Sequence, residues 1–142
     1  YAELLTHPRA TQMKPEMRWE IEAGLALDLT RLRKALRTRS AWYRTLMGLF
    51  EETDILLLPS TAVWPFPAER TWPDRIGEHA MDSYHRWMEI VAGPTLAGLP
   101  VLALPAGFSN GLPLGIQAIG RPGSEALLLS LAKSVEDAAQ TR

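Results

Sequence analysis

The sequence contains no cysteine and no long apolar run. The absence of cysteine excludes disulfide bonds, thiol nucleophiles and cysteine–zinc sites. No stretch approaches the roughly 20 apolar residues that span a bilayer, and no charged-then-apolar leader opens the chain, so we expect a cytoplasmic protein without membrane attachment. The formal net charge is only −1. This balance argues against nucleic acid or another polyanion as the main ligand.

The composition is that of an ordinary globular protein. The chain has 142 residues, of which 46% are hydrophobic and 22% are charged, and this length is enough for one domain with its own core. It opens on Tyr1 rather than on methionine, so we expect further residues upstream. Residues 1–142 are therefore interpreted either as a single domain or as the C-terminal part of a larger one.

Two helices are predicted in the first third of the chain. The first begins near Pro15, which suits the first turn of a helix, and Gly24 interrupts it. Asp28 can cap a second, longer helix that runs to about Glu52. The apolar inner side of the second helix consists of Leu29, Leu32, Leu36, Tyr43, Met47 and Phe50. Its outer side is basic, between Arg31 and Arg44, and a solvated face is favoured over contact with RNA or an acidic partner because no aromatic residues are interleaved with the charges.

The segment from Gly93 to Glu136 organises the rest of the chain. The apolar run Val101–Leu104 lies between two prolines, which predicts a strand that is buried on both faces. A second apolar run, 114–119, follows Asn110-Gly111. Because both residues of such a pair accept positive φ, we expect a tight antiparallel hairpin.

A final helix is predicted after this hairpin. Ser124 can cap its N-terminus, and Glu125 lies where the positive end of the helix dipole favours a carboxylate. One apolar stripe, suited to packing on a sheet, consists of Leu128, Leu131, Ala132, Val135 and Ala139.

The middle of the chain is predicted to hold a strand, a long loop and a helix. Ile55–Leu58 form a short buried strand that Pro59 ends. Residues 60–74 are rich in proline and large aromatic residues, which indicates an ordered loop. A helix is predicted from Asp82 to Val91, with Gly93-Pro94 ending it.

Two patterns resemble catalytic motifs. Ser109 lies in a G-x-S-x-G pattern, but that motif requires a helix directly after the serine, and here a strand follows. A hairpin turn is the favoured interpretation. Ser130 and Lys133 match S-x-x-K, but the companion motifs of that chemistry are absent, so the match is interpreted as chance.

Metal and nucleotide sites are not predicted either. His79, His85 and Glu89 are close in sequence, but zinc needs three or more converging ligands at a recognisable spacing, so a surface His85–Glu89 pair is favoured, with a general-base role for His85 left open. The glycine spacing between Gly93 and Gly98 is that of a phosphate loop, but the lysine and hydroxyl residue of that motif are missing. We therefore expect no metal and no cofactor.

The succession of motifs in the C-terminal half resembles a known family. LAGLPVLALPAGF (96–108), GLPLGIQAIGRPG (111–123) and a leucine-rich helix, preceded by DILLLPS (54–60), resemble the C-terminal part of the amidase signature family, hydrolases that use a Ser–cis-Ser–Lys triad. The resemblance covers nearly the whole chain. It implies an α/β fold in which these residues form a portion of a mixed β-sheet flanked by helices, with a long N-terminal helical segment and an Asn-Gly hairpin.

The resemblance gives no catalytic residue to this chain. In the family the nucleophilic serine lies in a glycine- and serine-rich segment, and the bridging serine and the lysine lie further upstream. No Gly-Ser-Ser or Ser-Gly-Gly run occurs here, and Lys14, Lys34 and Lys133 are in no comparable setting. The triad is therefore expected upstream of these residues.

What the resemblance does imply here is a substrate pocket. By position, the loop after Leu58 and the helix before Gly93 supply its walls, and the candidate substrate-binding residues are Trp64, Tyr84, Trp87 and Met88. The alternative is that these side chains only pack the core. An aromatic lining favours an uncharged or aromatic amide.

The resemblance implies that the complete protein is an amidase that hydrolyses a small-molecule carboxylic amide, and that this chain alone is inactive. An alternative is a non-catalytic scaffold of the same fold that binds a partner or a small molecule. In the first case the chain exposes an apolar surface meant for the missing half, so we expect it to self-associate.

Overall fold

A computed structural model describes residues 1–140 and separates the chain into two units, Tyr1–Arg39 and the residues from Ser40 onward. Among the described residues, no helix combines the length and the apolar character needed to cross a membrane. The two units are described separately.

The first unit is helical. Two short 3₁₀ turns, Ala2–Thr6 and Ala10–Gln12, precede helix α1 (Pro15–Leu25), which has its proline in the first turn as the sequence predicts. Helix α2 (Leu29–Leu49) begins in this unit. The backbone N–H of Arg31 donates to Oδ1 of Asp28 at 2.7 Å, which confirms the predicted cap.

The predicted inner side of α2 is only partly buried. Leu29 is 68% exposed, and Leu32, Leu36 and Tyr43 are exposed as well. The prediction that this whole side faces a core is therefore wrong for these four positions. The pattern records only which side chains are apolar, whereas burial also needs a second surface that packs against them.

The second unit is built on a three-stranded sheet. In chain order its elements are the end of α2, β1 (Ile55–Pro59), β2 (Arg75–Ile76), β3 (His79–Ala80), α3 (Tyr84–Trp87), α4 (Glu89–Ala97), β4 (Val101–Ser109), β5 (Leu112–Gly120) and α5 (Glu125–Gln140). The sheet order is β1–β5–β4 with antiparallel pairing throughout, and β2 pairs with β3 in a small separate ribbon. The α/β class with helices flanking a sheet is confirmed. Within residues 1–140 no parallel pair of the expected mixed sheet occurs.

Strands β1 and β4 are the edges of this sheet, which corrects the prediction that both are buried. Leu57 is 58% exposed, and Val101 is exposed too. Strand β4 also continues past Pro105, where it was predicted to end. The register shifts between Pro105 and Gly107, whose φ is 101°, and an edge strand tolerates proline at such an irregularity because no neighbour needs its missing N–H.

The predicted hairpin joins β4 to the central strand β5. Ser109 pairs with Leu112, and the two turn residues have positive φ, 51° at Asn110 and 76° at Gly111. This is the conformation that twists with the flanking strands and that asparagine and glycine adopt most readily. Strand β5 thereby gains a hydrogen-bonded neighbour on each side.

Helices cover both faces of the sheet. On one face, Ile119 of β5 clusters with Leu46 and Phe50 from the end of α2 and with Ala97 and Leu99. On the other face, the cluster of Leu104, Ala118 and Leu128 is extended by partly buried residues, among them Leu131, Ala132 and Val135. The predicted stripe of α5 thus packs on the sheet, although Ala139 is exposed.

The start of α5 differs in detail from its prediction. Ser124 directly precedes the helix, and its carbonyl accepts the N–H of Leu128 at 3.1 Å. Its hydroxyl, however, donates to the carbonyl of Arg121 at 2.7 Å instead of capping a helical N–H. Ser124 lies at the predicted position, but its side chain stabilises the preceding turn.

The predicted helix 82–91 is two helices, and the second continues past its expected end. α3 stops at Trp87, and α4 runs through Pro94 to Ala97, where Gly98 closes it with φ of 70°. Pro94 cannot donate to the carbonyl of Ile90, which would normally end or kink a helix. Here Nε2 of Gln117 donates to that carbonyl at 3.0 Å. The carbonyl of Ile90 therefore accepts a hydrogen bond although the helix supplies no N–H for it.

The buried leucine of α5 gives a stability prediction. Leu128 is 3% exposed and Leu129, its neighbour, is 63% exposed. We expect Leu128→Ala to lower the free energy of unfolding by about 2–5 kcal/mol, because it leaves a cavity against the sheet. Leu129→Ala, the matched control, should change it by less than about 0.5 kcal/mol. Urea unfolding measures both, and equal losses would contradict the packing of α5.

Candidate functional site

A cleft opens where β1 ends and its following loop turns over the sheet. Ser60 closes the end of β1 by donating its backbone N–H to the carbonyl of Gly115 at 3.0 Å. The loop, residues 59–66, then lines a cleft of about 550 Å³ together with Trp87, Ala106 and residues 113–116. This volume lies within the range of pockets that hold small molecules.

Gly115 lets the loop approach the central strand closely at the floor of this cleft. A Cβ atom on Gly115 would lie 2.5 Å from Oγ of Ser60, closer than such atoms approach. The loop therefore crosses the central strand at a point where no side chain stands between them.

The cleft carries no charged side chain among its lining residues. Its largest members are aromatic, and one of its walls is held by edge-to-face ring contacts. Phe66 and Trp87 have ring centroids 6.0 Å apart at 82°, Trp87 and Tyr84 are 6.1 Å apart, and Tyr84 and Trp72 are 6.2 Å apart. Such contacts fix ring orientation, so this wall is preorganised.

Of the four predicted substrate-binding residues, two line the cleft and two do not. Trp64 and Trp87 line the cleft. Tyr84 of α3 contacts the ring of Trp87 but does not itself line the cleft. Met88 lies between α3 and α4, where its carbonyl accepts the N–H groups of Val91 and Ala92.

Among the lining residues that sequence reasoning did not name, two help to shape the cleft. Phe66 completes the aromatic wall, and Ser60 anchors the loop on β5. Their position in the sequence could have indicated them, because both lie in the segment directly after a predicted strand, where ligands of α/β sheets bind.

A second cleft, of about 490 Å³, shares Trp87 and Ala62 with the first. Unlike the first, it is lined by His79, Arg86 and Glu89. His85, the other predicted histidine, is exposed and has its ring against that of Tyr84. Residues 1–140 contain no group of three His, Cys, Asp or Glu side chains placed to hold a metal ion.

The two motif matches lack the context that catalysis needs. Ser109 precedes the hairpin turn and pairs with Leu112 in the sheet, so no helix follows it. Ser130 is an exposed residue of α5. Nζ of Lys133 lies 3.1 Å from Oδ2 of Asp137, so this lysine is paired with a carboxylate on the next turn of the helix.

Comparison with known proteins identifies the family. The Amidase family model matches residues 1–129. The chain belongs to the amidase signature family. The predicted resemblance is therefore confirmed.

Two relatives illustrate the match. A glutamyl-tRNA(Gln) amidotransferase subunit of Moorella thermoacetica is 38% identical over 109 residues, which cover 75% of this chain and 21% of that protein. The protein named "Putative amidase AmiA2" in Mycobacterium tuberculosis is 37% identical over 122 residues, which cover 82% of this chain and 24% of that protein. The chain thus spans about a fifth to a quarter of the length of these relatives.

Two solved structures share the fold. A crystal structure of an amidase matches 94% of this chain and 30% of its own, with a TM-score of 0.76 and 29% identity. A structure reported with the evolutionary origins of an s-triazine catabolic enzyme matches 96% of this chain and 30% of its own, with a TM-score of 0.81. The sequences of this second pair are 23% identical, so that likeness concerns the fold alone.

In this amidase-family chain, one buried polar side chain connects the two clefts. Gln117 of β5 is 3% exposed, and its Nε2 donates to the carbonyls of Pro59 and Ile90, each at 3.0 Å. Pro59 begins the loop of the first cleft, and Ile90 lines the second. Gln117 therefore fixes the central strand to both cleft walls at once.

This arrangement predicts a coupling between Gln117 and Pro94. Gln117→Met keeps the length of the side chain but removes both donors, so we expect a loss of about 1–3 kcal/mol in the free energy of unfolding. In a Pro94→Ala background the loss should be smaller, because the new N–H at position 94 supplies a helical donor to Ile90. Urea unfolding of the four proteins in this double-mutant cycle measures the coupling. Strictly additive losses would contradict the shared role of the Ile90 carbonyl.

Proposed function

We propose that this chain is the C-terminal part of an amidase that hydrolyses the C–N bond of a small-molecule carboxylic amide. In this proposal the chain supplies scaffold and substrate-pocket walls, and the Ser–cis-Ser–Lys triad lies upstream of these residues. The family match supports the class of reaction, and the small share of the relatives' length that the chain spans supports a division of roles.

The chemistry of the triad explains what the upstream part has to supply. In such hydrolases a neutral lysine accepts, through the cis-serine, the proton of the nucleophilic serine, which attacks the amide carbonyl, while backbone N–H groups stabilise the oxyanion. The relay needs a lysine held close to two serines. Ser130 and Lys133 do not meet this need, since Lys133 pairs with Asp137 on the surface of α5.

The observation that carries the proposal is the cleft beside the carboxyl end of β1. It is large enough for a small amide, it has a preorganised aromatic wall, and no nucleophile–base pair of the known kinds accompanies it within residues 1–140. A site that can bind but has no reacting group of its own suits the substrate-binding share of an enzyme. We assign Trp64 and Trp87 to direct contact with substrate, Tyr84 to supporting the wall through its ring contact with Trp87, and Met88 to holding the junction of α3 and α4.

The proposal predicts where activity resides. The complete protein, extended upstream of Tyr1 through its coding sequence, should hydrolyse members of a panel of aliphatic and aromatic primary amides, as measured by ammonia release. The 142-residue chain should not. Ser109→Ala and Ser130→Ala in the complete protein are the matched controls, and each should retain activity within about twofold, because neither serine belongs to the reacting group.

Other outcomes of this experiment have clear meanings. Hydrolysis by the short chain, or its loss on Ser130→Ala, would contradict an upstream triad. No hydrolysis by the complete protein would favour the alternative, a non-catalytic scaffold that binds a partner or small molecule.

The same proposal accounts for the exposed apolar side of α2. Leu29, Leu32 and Leu36 recur at helical spacing yet remain exposed, an arrangement typical of a surface that another part of a protein covers. In the isolated chain this surface should instead drive self-association.

Self-association can be tested by sedimentation velocity. We expect the isolated 142-residue chain to form dimers or larger species at micromolar concentration, and Leu29→Gln combined with Leu32→Gln to shift it towards monomer, because less apolar area is then buried between copies. Thr30→Gln combined with Thr38→Gln, on polar positions of the same helix, is the control and should leave the distribution unchanged. Equal behaviour of the two variants would contradict a role for this side of α2.

A further inference from the structure

The two clefts, which share Ala62 and Trp87, differ in charge. The first, lined by residues 59–66 and 113–116, has only apolar, aromatic and neutral hydroxyl side chains. The second has the charged side chains of Arg86 and Glu89. Within residues 1–140, no charged side chain lines the first cleft as a counter-ion for a ligand.

This absence of charge makes the first cleft selective. A carboxylate that enters it loses hydration without gaining a cationic partner, which is unfavourable. Arg86 of α3 lines the second cleft, and its Nε lies 3.7 Å from Oδ1 of Asp82. A neutral apolar group loses little on entry and gains contact with aromatic faces.

Trp64 differs from the other aromatic residues of this cleft. Phe66 and Trp87 are held in the series of ring contacts, whereas Trp64 lies outside that series and is 63% exposed. A large exposed ring beside a fixed aromatic wall has surface available for stacking on a flat ligand. Phe66 and Trp87 are thus fixed in orientation, whereas the ring of Trp64 is exposed beside them.

We propose that the first cleft selects amides that carry a neutral aromatic group and rejects those that carry a carboxylate, with Trp64 as the specificity-determining residue. This inference rests on the proposed function, because it names the class of amide that the same site takes. The neutral lining disfavours ligands that carry a carboxylate, and Trp64 favours a flat ring over an aliphatic chain.

The test uses the complete protein and ketones that cannot be hydrolysed as amides. The probes are acetophenone, its carboxylated analogue 4-acetylbenzoate, and butanone, with binding measured by isothermal titration calorimetry. We expect acetophenone to bind at least about tenfold more tightly than either of the others.

Substitutions then assign the preference to Trp64. Trp64→Ala should weaken acetophenone binding about tenfold and butanone binding less than about twofold, whereas Trp64→Phe should keep most of the acetophenone affinity. The matched control is Trp19→Ala, since Trp19 is a similarly exposed tryptophan, 55% exposed, of the first unit and outside the cleft. It should leave all three dissociation constants unchanged.

A further variant tests the electrostatic reason. Thr61→Arg places a cation among the lining residues and should narrow the gap between 4-acetylbenzoate and acetophenone several-fold. An unchanged gap, equal binding of the two probes by the unaltered protein, or a Trp64→Ala effect no larger than that of Trp19→Ala would each overturn this inference.

These results are distinguishable from failure of the proposed function. Selective binding of acetophenone without hydrolysis of any amide would overturn the amidase proposal alone. Hydrolysis of amides without the expected binding preference would overturn this inference alone.

Discussion

The structure from Ser40 onward depends on the burial of one strand, β5. It is hydrogen-bonded to β1 on one side and to β4 on the other, and helices cover both of its faces. Ala118 and Ile119, adjacent residues that point to opposite faces, are 0% and 1% exposed. Because neighbouring side chains of a strand alternate, any slip in register would bring Gln117 or Gly120 into these positions, and neither could fill them.

The same strand explains how a binding cleft can be precise while its loop is long. Gly115 allows Ser60 to cross closely, and Gln117 holds the carbonyl of Pro59, so the loop of residues 59–66 starts from two fixed points on β5. The second hydrogen bond of Gln117 satisfies the carbonyl of Ile90, to which Pro94 has no N–H to donate. One amide thereby stabilises a helix with an internal proline and positions the loop beside it.

Local patterns predicted the central elements well and the margins poorly. The Asn110-Gly111 turn, the Asp28 cap and the stripe of α5 were predictable because short-range sequence determines each of them. The continuation of α4 through Pro94 was not, since its compensating donor, Gln117, is distant in sequence. Trp64 and Trp87 could be placed near the cleft from their positions after predicted elements, but Phe66 could not be distinguished from the other loop aromatics without the ring contacts.

The remaining errors share one physical origin. Leu29, Leu57 and Val101 belong to patterns that indicate burial, yet all three are exposed. Hydrophobic periodicity reflects the surroundings in which a sequence was selected, whereas exposure reflects only the atoms present. Under the proposed function the two disagree where the rest of the amidase would pack, against the first half of α2 and along the outer sides of β1 and β4. If the proposed function is correct, each of these positions, taken in its own unit, is one at which an upstream part of the amidase would supply the missing contact.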